Sequence, residues 1–337
     1  MHEARQYTRL ENRAVRCSLC SHRCRIPEGK PGICGIRWNR GGILDAAAYG
    51  KISAEAVDPI EKKPLFHYLP GTLSYSLGSI GCNFHCEHCQ NWQISQAGLE
   101  EATLPVLLPE EGVRRAIARG CASISWTYNE PSIWHEYPLD MGAIAKKEGL
   151  GTVYVTNGYI TEEALREIAP VLAAYRVDIK AFSDDFYKKI CGARLQPVLD
   201  SALLARNLGM HVETVTLVIP GLNDSMDEMK QLIRWVIEHI GPDTPMHFSA
   251  FHPDFKMIDR GPTSVAVLEK IYTLAKDLGL HYPYLGNVRS HQYENTFCPS
   301  CGAVLIERMG FASRFLALEG RECRQCGEKI AIVRDHG

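Results

Sequence analysis

Thirteen of the 337 residues are cysteine, and eleven of them fall in three tight groups: Cys17, Cys20, Cys24 and Cys34; Cys82, Cys86 and Cys89; and Cys298, Cys301, Cys323 and Cys326. Such clustering in a chain of cytosolic character indicates metal ligation rather than disulfides. The two left over, Cys121 and Cys191, read as small buried hydrophobes. The central group, Gly81-Cys82-Asn83-Phe84-His85-Cys86-Glu87-His88-Cys89, puts three thiolates in eight residues. A four-iron cluster takes four ligands, so a triad would leave one iron open to a substrate. The bland alternative is a zinc site completed by His85 or His88. The last group forms two C-x-x-C-G knuckles, which suit a closed tetrahedral zinc or, second, a rubredoxin-like iron. The first group reads C-x2-C-x3-C-x9-C with His22 inside it. Its four ligands would close either a structural zinc site or an auxiliary iron–sulfur cluster, and the spacing leaves both open.

These side chains need a scaffold, and the middle of the chain supplies one by alternating two patterns. Short β-branched or apolar runs predict strands at Tyr75 to Gly81, Ala122 to Tyr128, Gly151 to Asn157, Ala174 to Phe182, His211 to Ile219 and Met246 to Phe251. Helical patterns lie between and after them, at Glu110 to Arg119, Pro138 to Glu148, Glu162 to Ala173, Val198 to Leu208, Ser225 to Ile240 and Ser264 to Leu278. The fifth helix is the clearest. Ser225 and Glu228 make a capping box, Met229, Leu232, Ile233, Val236, Ile237 and Ile240 form one apolar stripe, and Gly241-Pro242 stops it. Successive strand–helix units favour a parallel sheet, hence an α/β fold, either a partial (β/α)6 TIM-type barrel or an open doubly wound sheet. Either way functional residues belong at the carboxyl ends of the strands. The expected organisation is an N-terminal cysteine-rich module over 1–70, the barrel over 71–289 and a zinc-ribbon-like tail over 290–337.

Composition excludes several classes. Lys and Arg total 37 against 39 Asp and Glu, a net charge of −2, which gives no footprint for nucleic acid or anionic lipid. With 45% apolar and 23% charged residues the chain is neither disordered nor fibrous. No apolar run approaches the roughly 18 residues of a membrane span and the polar start is no signal peptide, so a cytoplasmic location is expected.

The strand ends carry a resemblance. The three-cysteine loop after the first strand is similar to that of radical S-adenosylmethionine (radical SAM) enzymes, and matching positions follow in order. Trp126-Thr127-Tyr128-Asn129-Glu130-Pro131 resembles the Gly-Gly-Glu-Pro segment that receives the cofactor's ammonium, with Tyr128-Asn129 in place of the glycine pair. Thr156-Asn157-Gly158 ends the third strand, and Asp178-Ile179-Lys180 resembles the strand that meets the cofactor's carboxylate and ribose. Asn223 lies in a segment placed like the family's adenine-contacting one, and His88 stands where an aromatic residue packs near adenine. The sixth strand ends in Phe251-His252-Pro253.

The resemblance implies a [4Fe–4S] cluster on Cys82, Cys86 and Cys89, with S-adenosylmethionine bound by His88, Asn129, Glu130, Thr156, Asn157, Asp178 and Asn223. Lys180 and His252 are the expected catalytic residues. The flanks, among them Asp58-Pro59-Ile60-Glu61-Lys62-Lys63-Pro64-Leu65-Phe66-His67 and Cys89-Gln90-Asn91-Trp92-Gln93-Ile94-Ser95, resemble the AmmeMemoRadiSam group, itself similar to pyruvate formate-lyase activating enzyme. That group implies Memo-like and AMMECR-like partners beside an electron donor such as a ferredoxin or flavodoxin. Three functions follow for testing: an enzyme that makes a 5′-deoxyadenosyl radical to abstract hydrogen from an unidentified substrate, a glycyl-radical activase, and a non-catalytic zinc and iron–sulfur binding protein.

Overall fold

The structure is a computed structural model that describes residues 1–100, 103–288 and 291–335. The boundary expected between residues 289 and 290 lies outside the described residues. A single eight-stranded sheet organises the chain: β1 (Ala54–Pro59), β2 (Leu73–Gly78), β3 (Ser123–Trp126), β4 (Gly151–Thr156), β5 (Ala174–Asp178), β6 (His211–Val218), β7 (Met246–Ala250) and β8 (Pro283–Gly286), in that spatial order. From β2 to β8 every neighbouring pair is parallel, and β1 joins β2 antiparallel. The six expected strands are all present. The sheet is nevertheless wider than expected at both edges, and β1 falls inside the stretch read as the N-terminal module.

Both additions have weak signals for physical reasons. Ala54–Pro59 is a half-exposed edge strand of mixed polarity, and Pro283–Gly286 has only four residues, opens on proline and ends on glycine. The inner strands, by contrast, are buried on both alternations, as the continuous apolar runs require: Ser123–Trp126, Ala174–Val177 and Met246–Ala250 have no exposed residue.

Six helices cover this sheet: α1 (Pro109–Ala118), α2 (Glu136–Lys147), α3 (Glu162–Ile168), α4 (Gln196–Asn207), α5 (Met226–His239) and α6 (Val265–Asp277). Their starts follow from caps. Thr161, Ser225 and Ser264 each accept the backbone N–H three residues on, and Gly241 N–H returns to Val236 O at the end of α5. The capping box expected at α5 is half made. Ser225 Oγ accepts Glu228 N–H, but the Glu228 carboxylate turns away and accepts Phe182 N–H at 2.7 Å, tying the helix to the loop after β5.

Two small units flank the sheet. Residues 1–46 form a three-stranded sheet (Tyr7–Arg9, Val15–Cys17, Arg25–Ile26) and a hairpin (Arg37–Arg40, Ile43–Ala46). They are anchored by Arg37, whose guanidinium meets both oxygens of Glu136 at 2.8 and 2.9 Å with both side chains buried, and whose second nitrogen also donates to Arg5 O. The C-terminal strands pack on Phe66, Tyr282 and Tyr284. There the buried Arg308 donates to Phe66 O at 2.7 Å, and Val333 pairs with Tyr68.

Arg37→Ala leaves a buried Glu136 without its cation, so it should destabilise the protein by about 3–5 kcal/mol in denaturant unfolding. The Arg37 guanidinium, working against burial, holds the Glu136 carboxyl below its usual range. A depressed folded-state pKa gives stability that is present above the unfolded carboxylate pKa and lost as pH falls through the folded one. The wild type should therefore lose stability in acid more steeply than Arg37→Ala does.

Candidate radical active site

The carboxyl ends of the parallel strands converge on one cavity of about 460 Å³. Its lining includes Cys82, Cys86, His88 and Cys89 after β2, Asn129 and Glu130 after β3, Thr156 and Asn157 at β4, Arg176, Asp178 and Lys180 at β5, and Ser249 and Asn287 at β7 and β8. Three cysteines and seven of the nine other residues singled out by sequence, His88 in the cysteine loop among them, thus face one space. Asn223 and His252 do not line it.

The loop that carries the cysteines is held by its neighbours rather than by regular structure. Asn129 accepts Ser79 N–H and donates to the Ile80 and Gly81 carbonyls, so its side chain is spent on the approach to Cys82. Phe84 N–H points at Cys82 Sγ at 3.3 Å, and Ser95 Oγ lies 3.1 Å from Cys89 Sγ. Cys86 has an unexpected companion: Cys191 is buried with its thiol against Cys86, and its carbonyl accepts His85 N–H. Donors at the sulfurs favour the thiolates that iron requires, and the three sulfurs open on a cavity able to take a substrate.

Glu130 is the hub of the next layer. It is 2% exposed; Oε1 accepts Ser132 N–H at 3.0 Å and Thr156 Oγ1 at 2.6 Å, while Oε2 accepts Asn157 N–H at 2.7 Å. Burial raises its pKa and these donors oppose the rise. Asn157 carries the linkage onward, its amide donating to Asn83 Oδ1 at 2.8 Å and reaching Cys82 Sγ at 3.8 Å.

On the opposite side Asp178 sits between Arg176 and Lys180, with Lys180 Nζ at 3.1 Å. Burial opposes both charges, but the pairing wins: Asp178 is held below its usual range and Lys180 well above its own. His88 is pushed down to about 3 by burial and by Lys180, so it is a neutral ring, and its buried Nδ1 has no hydrogen-bond partner among the described residues.

Two expected residues lie elsewhere. Asn223 spends its amide on Ile219 N–H, Lys180 O and Leu217 O, fastening the loops after β5 and β6 together. His252 is exposed beside Gln90, with ring nitrogen and amide 2.9 Å apart. The sequence reading missed a wall of the cavity, Lys62, Lys63 and Pro64. Lys63 is buried against Asp58, which also receives Tyr128 OH at 2.9 Å, and Tyr128 takes a φ of 73° to get there. A doubled lysine after Asp58 is a signal only once β1 is known to run antiparallel to β2, Pro59 opposite Leu73, with the chain beyond it turned into the cavity wall.

The outer cysteine groups differ from one another. Cys298, Cys301, Cys323 and Cys326 lie within 4.8 Å of one another and could hold one metal ion. Cys17, Cys20, Cys24 and Cys34 are mostly buried; Cys20 bridges to Ile160 in the loop after β4, and His22 Nε2 lies 2.7 Å from Asn83 O in the cysteine loop.

A fold of this kind, with three thiolates opening on the carboxyl ends of a parallel sheet, defines a class, and comparison agrees: residues 77–236 match the radical SAM superfamily. The chain thus carries a radical SAM domain, that of a superfamily of enzymes, which implies a [4Fe–4S] cluster and S-adenosylmethionine. It is 47% identical over 335 residues to a Methanocaldococcus jannaschii protein named uncharacterized protein MJ0808, covering 99% of this chain and all of that one. It is also similar to the pyruvate formate-lyase-activating enzyme of Clostridium pasteurianum, 28% identical over 159 residues, 45% of this chain and 64% of the enzyme. In fold it resembles Streptococcus suis SuiB crystallised with S-adenosylmethionine, with a TM-score of 0.51 at 14% identity over 68% of this chain and 55% of that one.

Gly81 makes the seam between the N-terminal group and the loop. Its φ is +79°, and a Cβ there would fall inside contact with the Cys34 carbonyl and 2.9 Å from Ile36 Cγ2. Gly81→Ala should destabilise the protein by about 1–3 kcal/mol and at least halve the iron retained after anaerobic gel filtration.

Proposed function

We propose that this chain reductively cleaves S-adenosylmethionine and uses the resulting radical to abstract hydrogen from an organic substrate. The observation that carries the reading is the shared cavity: the Cys82, Cys86 and Cys89 thiols face the same space as the polar strand ends, and Cys191, buried behind Cys86, does not line it. Cys82, Cys86 and Cys89 would hold the cluster. When bound, it supplies the electron that breaks the sulfonium bond to give a 5′-deoxyadenosyl radical.

The residues of the chain position the cofactor. The outer lone pairs of Glu130 and the backbone at Asn129 offer acceptors for its ammonium, Thr156 and Asn157 fix that carboxylate, and Asp178 and Lys180 offer one acceptor and one donor for ribose and carboxylate. His88 presents a neutral ring face for adenine. Asn223 shapes the adenine side by holding two loops. Lys180, with its proton secured by Asp178, and His252 at the exposed rim are the candidates for work on the substrate.

The sheet edges and strand ends support a partial-barrel reading, and the four C-terminal sulfurs support a zinc ribbon. A zinc–sulfur bond of about 2.3 Å puts tetrahedral ligands about 3.8 Å apart, and the observed pairs are 3.5 and 3.7 Å. In a reducing cytoplasm the electron would come from a ferredoxin or flavodoxin, and Memo-like and AMMECR-like proteins are the proposed partners. A balanced net charge gives no support for nucleic acid as a target, and no helix among the described residues is long and apolar enough to cross a membrane. A second reading, installation of a glycyl radical on a partner protein, is favoured by the similarity to the Clostridium activating enzyme.

Reconstituted protein, reduced anaerobically with S-adenosylmethionine, should release 5′-deoxyadenosine and methionine, and absence of both would overturn the proposal. Cys86→Ala should abolish that product and the cluster absorbance while the C-terminal metal stays. Glu130→Gln should bind S-adenosylmethionine about 10- to 100-fold more weakly, the worth of one charge-assisted hydrogen bond, with iron content unchanged in the same anaerobic titration.

A further inference from the structure

Cations outnumber acids in the cavity, although the chain as a whole carries a net charge of −2. Lys62, Lys63, Arg176 and Lys180 line it against Glu130 and Asp178. Asp58 adds a carboxylate behind the wall, shared between Lys62 and Lys63. Asp178 is shared in the same way between Arg176 and Lys180. The cofactor brings a single carboxylate, for which Lys180 is the proposed donor, so three cations are left over.

Two of these meet at one depth. Arg176 lies two residues before Asp178 on β5, about 7 Å nearer the amino end of the strand. Its register neighbour on β6 is Glu213, whose carboxylate accepts Phe66 N–H at 3.0 Å and His67 N–H at 2.8 Å. That grip brings the segment after β1 to the level of Arg176, and Lys63 with it. Glu213 has no lone pair left for either cation, because His211 and His247 take the other two at 2.9 and 2.8 Å.

Arg176 is 8% exposed; its one hydrogen bond among the described residues runs from Nη1 to Asp178, and its Nε is buried with no partner. The edge formed by Nε and Nη2 is one that grips a carboxylate or phosphate through two parallel bonds. Lys63 is buried too, 4.8 Å from the centroid of the Tyr128 ring. Burial, opposed by Asp58, lowers its pKa, and the charges of Lys62 and Arg176 lower it further. An anion placed between Lys63 and Arg176 would relieve that repulsion and supply the missing acceptor.

We propose that the substrate is an anion, an organic acid or a phosphate ester, and that Arg176 and Lys63 grip its carboxylate or phosphate group on the amino-end side of the cofactor. The inference rests on the radical reading of this cavity and adds the chemical class of the molecule acted on. Anchored there, the rest of the substrate is directed toward the strand ends, where the three thiols face the same space. Removing either cation still leaves the local acid a partner: Asp178 keeps Lys180, and Asp58 keeps Lys62.

Reconstituted full-length protein with S-adenosylmethionine bound, held anaerobic at constant ionic strength, is titrated in a calorimeter with inorganic phosphate and separately with succinate. At least one should bind saturably; tighter phosphate assigns a phosphate ester, and tighter succinate a carboxylic acid. Arg176→Gln should weaken that anion about tenfold or more and Lys63→Met about fivefold or more, the range of charge-assisted hydrogen bonds. S-adenosylmethionine itself should weaken by no more than about threefold in Arg176→Gln. Saturable binding of neither anion to the wild type would overturn the proposal. So would an anion indifferent to both substitutions, or an equal loss of S-adenosylmethionine affinity, which would give Arg176 to the cofactor's own carboxylate. Release of 5′-deoxyadenosine is measured on the same wild-type sample. Protein that makes it but binds neither anion refutes this inference alone, whereas protein that binds an anion but makes none refutes the radical reading.

Discussion

A carboxylate taken out of water has to be held by donors, and in this protein the arrangement of the site depends on how that is done at Glu130. Leaving such a group unmet costs several kcal/mol, so the chain ends of β3 and β4 are fixed relative to one another by the need to bring Ser132 N–H, Thr156 Oγ1 and Asn157 N–H to it. Asn157 then hands the constraint to Asn83 and Cys82. The cysteine loop has almost no regular structure of its own. Its position is set by this polar chain on one side and by Asn129 on the other.

Much of this was legible in the sequence because the elements obey local rules. The serine at 225 located the start of α5, and continuous apolar runs located strands buried on both faces. The cysteine spacing and the polar residue after each strand located the cavity. What escaped depends on contacts distant in sequence. A mixed-polarity edge strand and a four-residue strand have little pattern to read. Glu228 had a local partner in its capping box, but Phe182 N–H, orphaned at a strand end, took it. Asn223 and Asn129 carry the right residue type at the right place, yet their amides are consumed by backbone groups of neighbouring loops. Cys191 read as an inert hydrophobe, and its burial fits that, but spacing could not reveal that it lies against Cys86.

The three sulfur sites also show why residue type alone underdetermines chemistry. All are cysteine, and two are sets of four. The difference lies in enclosure and spacing: knuckles with alternating buried and exposed thiols close on a point late in the chain, while the loops that carry the other seven cysteines meet at one seam around Gly81, where only hydrogen fits in place of a side chain.

The wall formed by Lys62, Lys63 and Pro64 has one further consequence, for how the protein is made. The segment just after that wall is pinned by residues from the other end of the chain: His67 to Ala331, 264 positions away, and Phe66 to Arg308, 242 positions away. Contacts of such separation carry a large loop-closure cost and form late. During vectorial synthesis the parallel strands can pair as they emerge, one unit after another, but the support behind this side of the cavity arrives only once Arg308 and Ala331 have been translated. A ribosome-bound chain therefore presents the cysteine loop before its enclosure is complete, and timing of iron delivery relative to release becomes a property written into the topology.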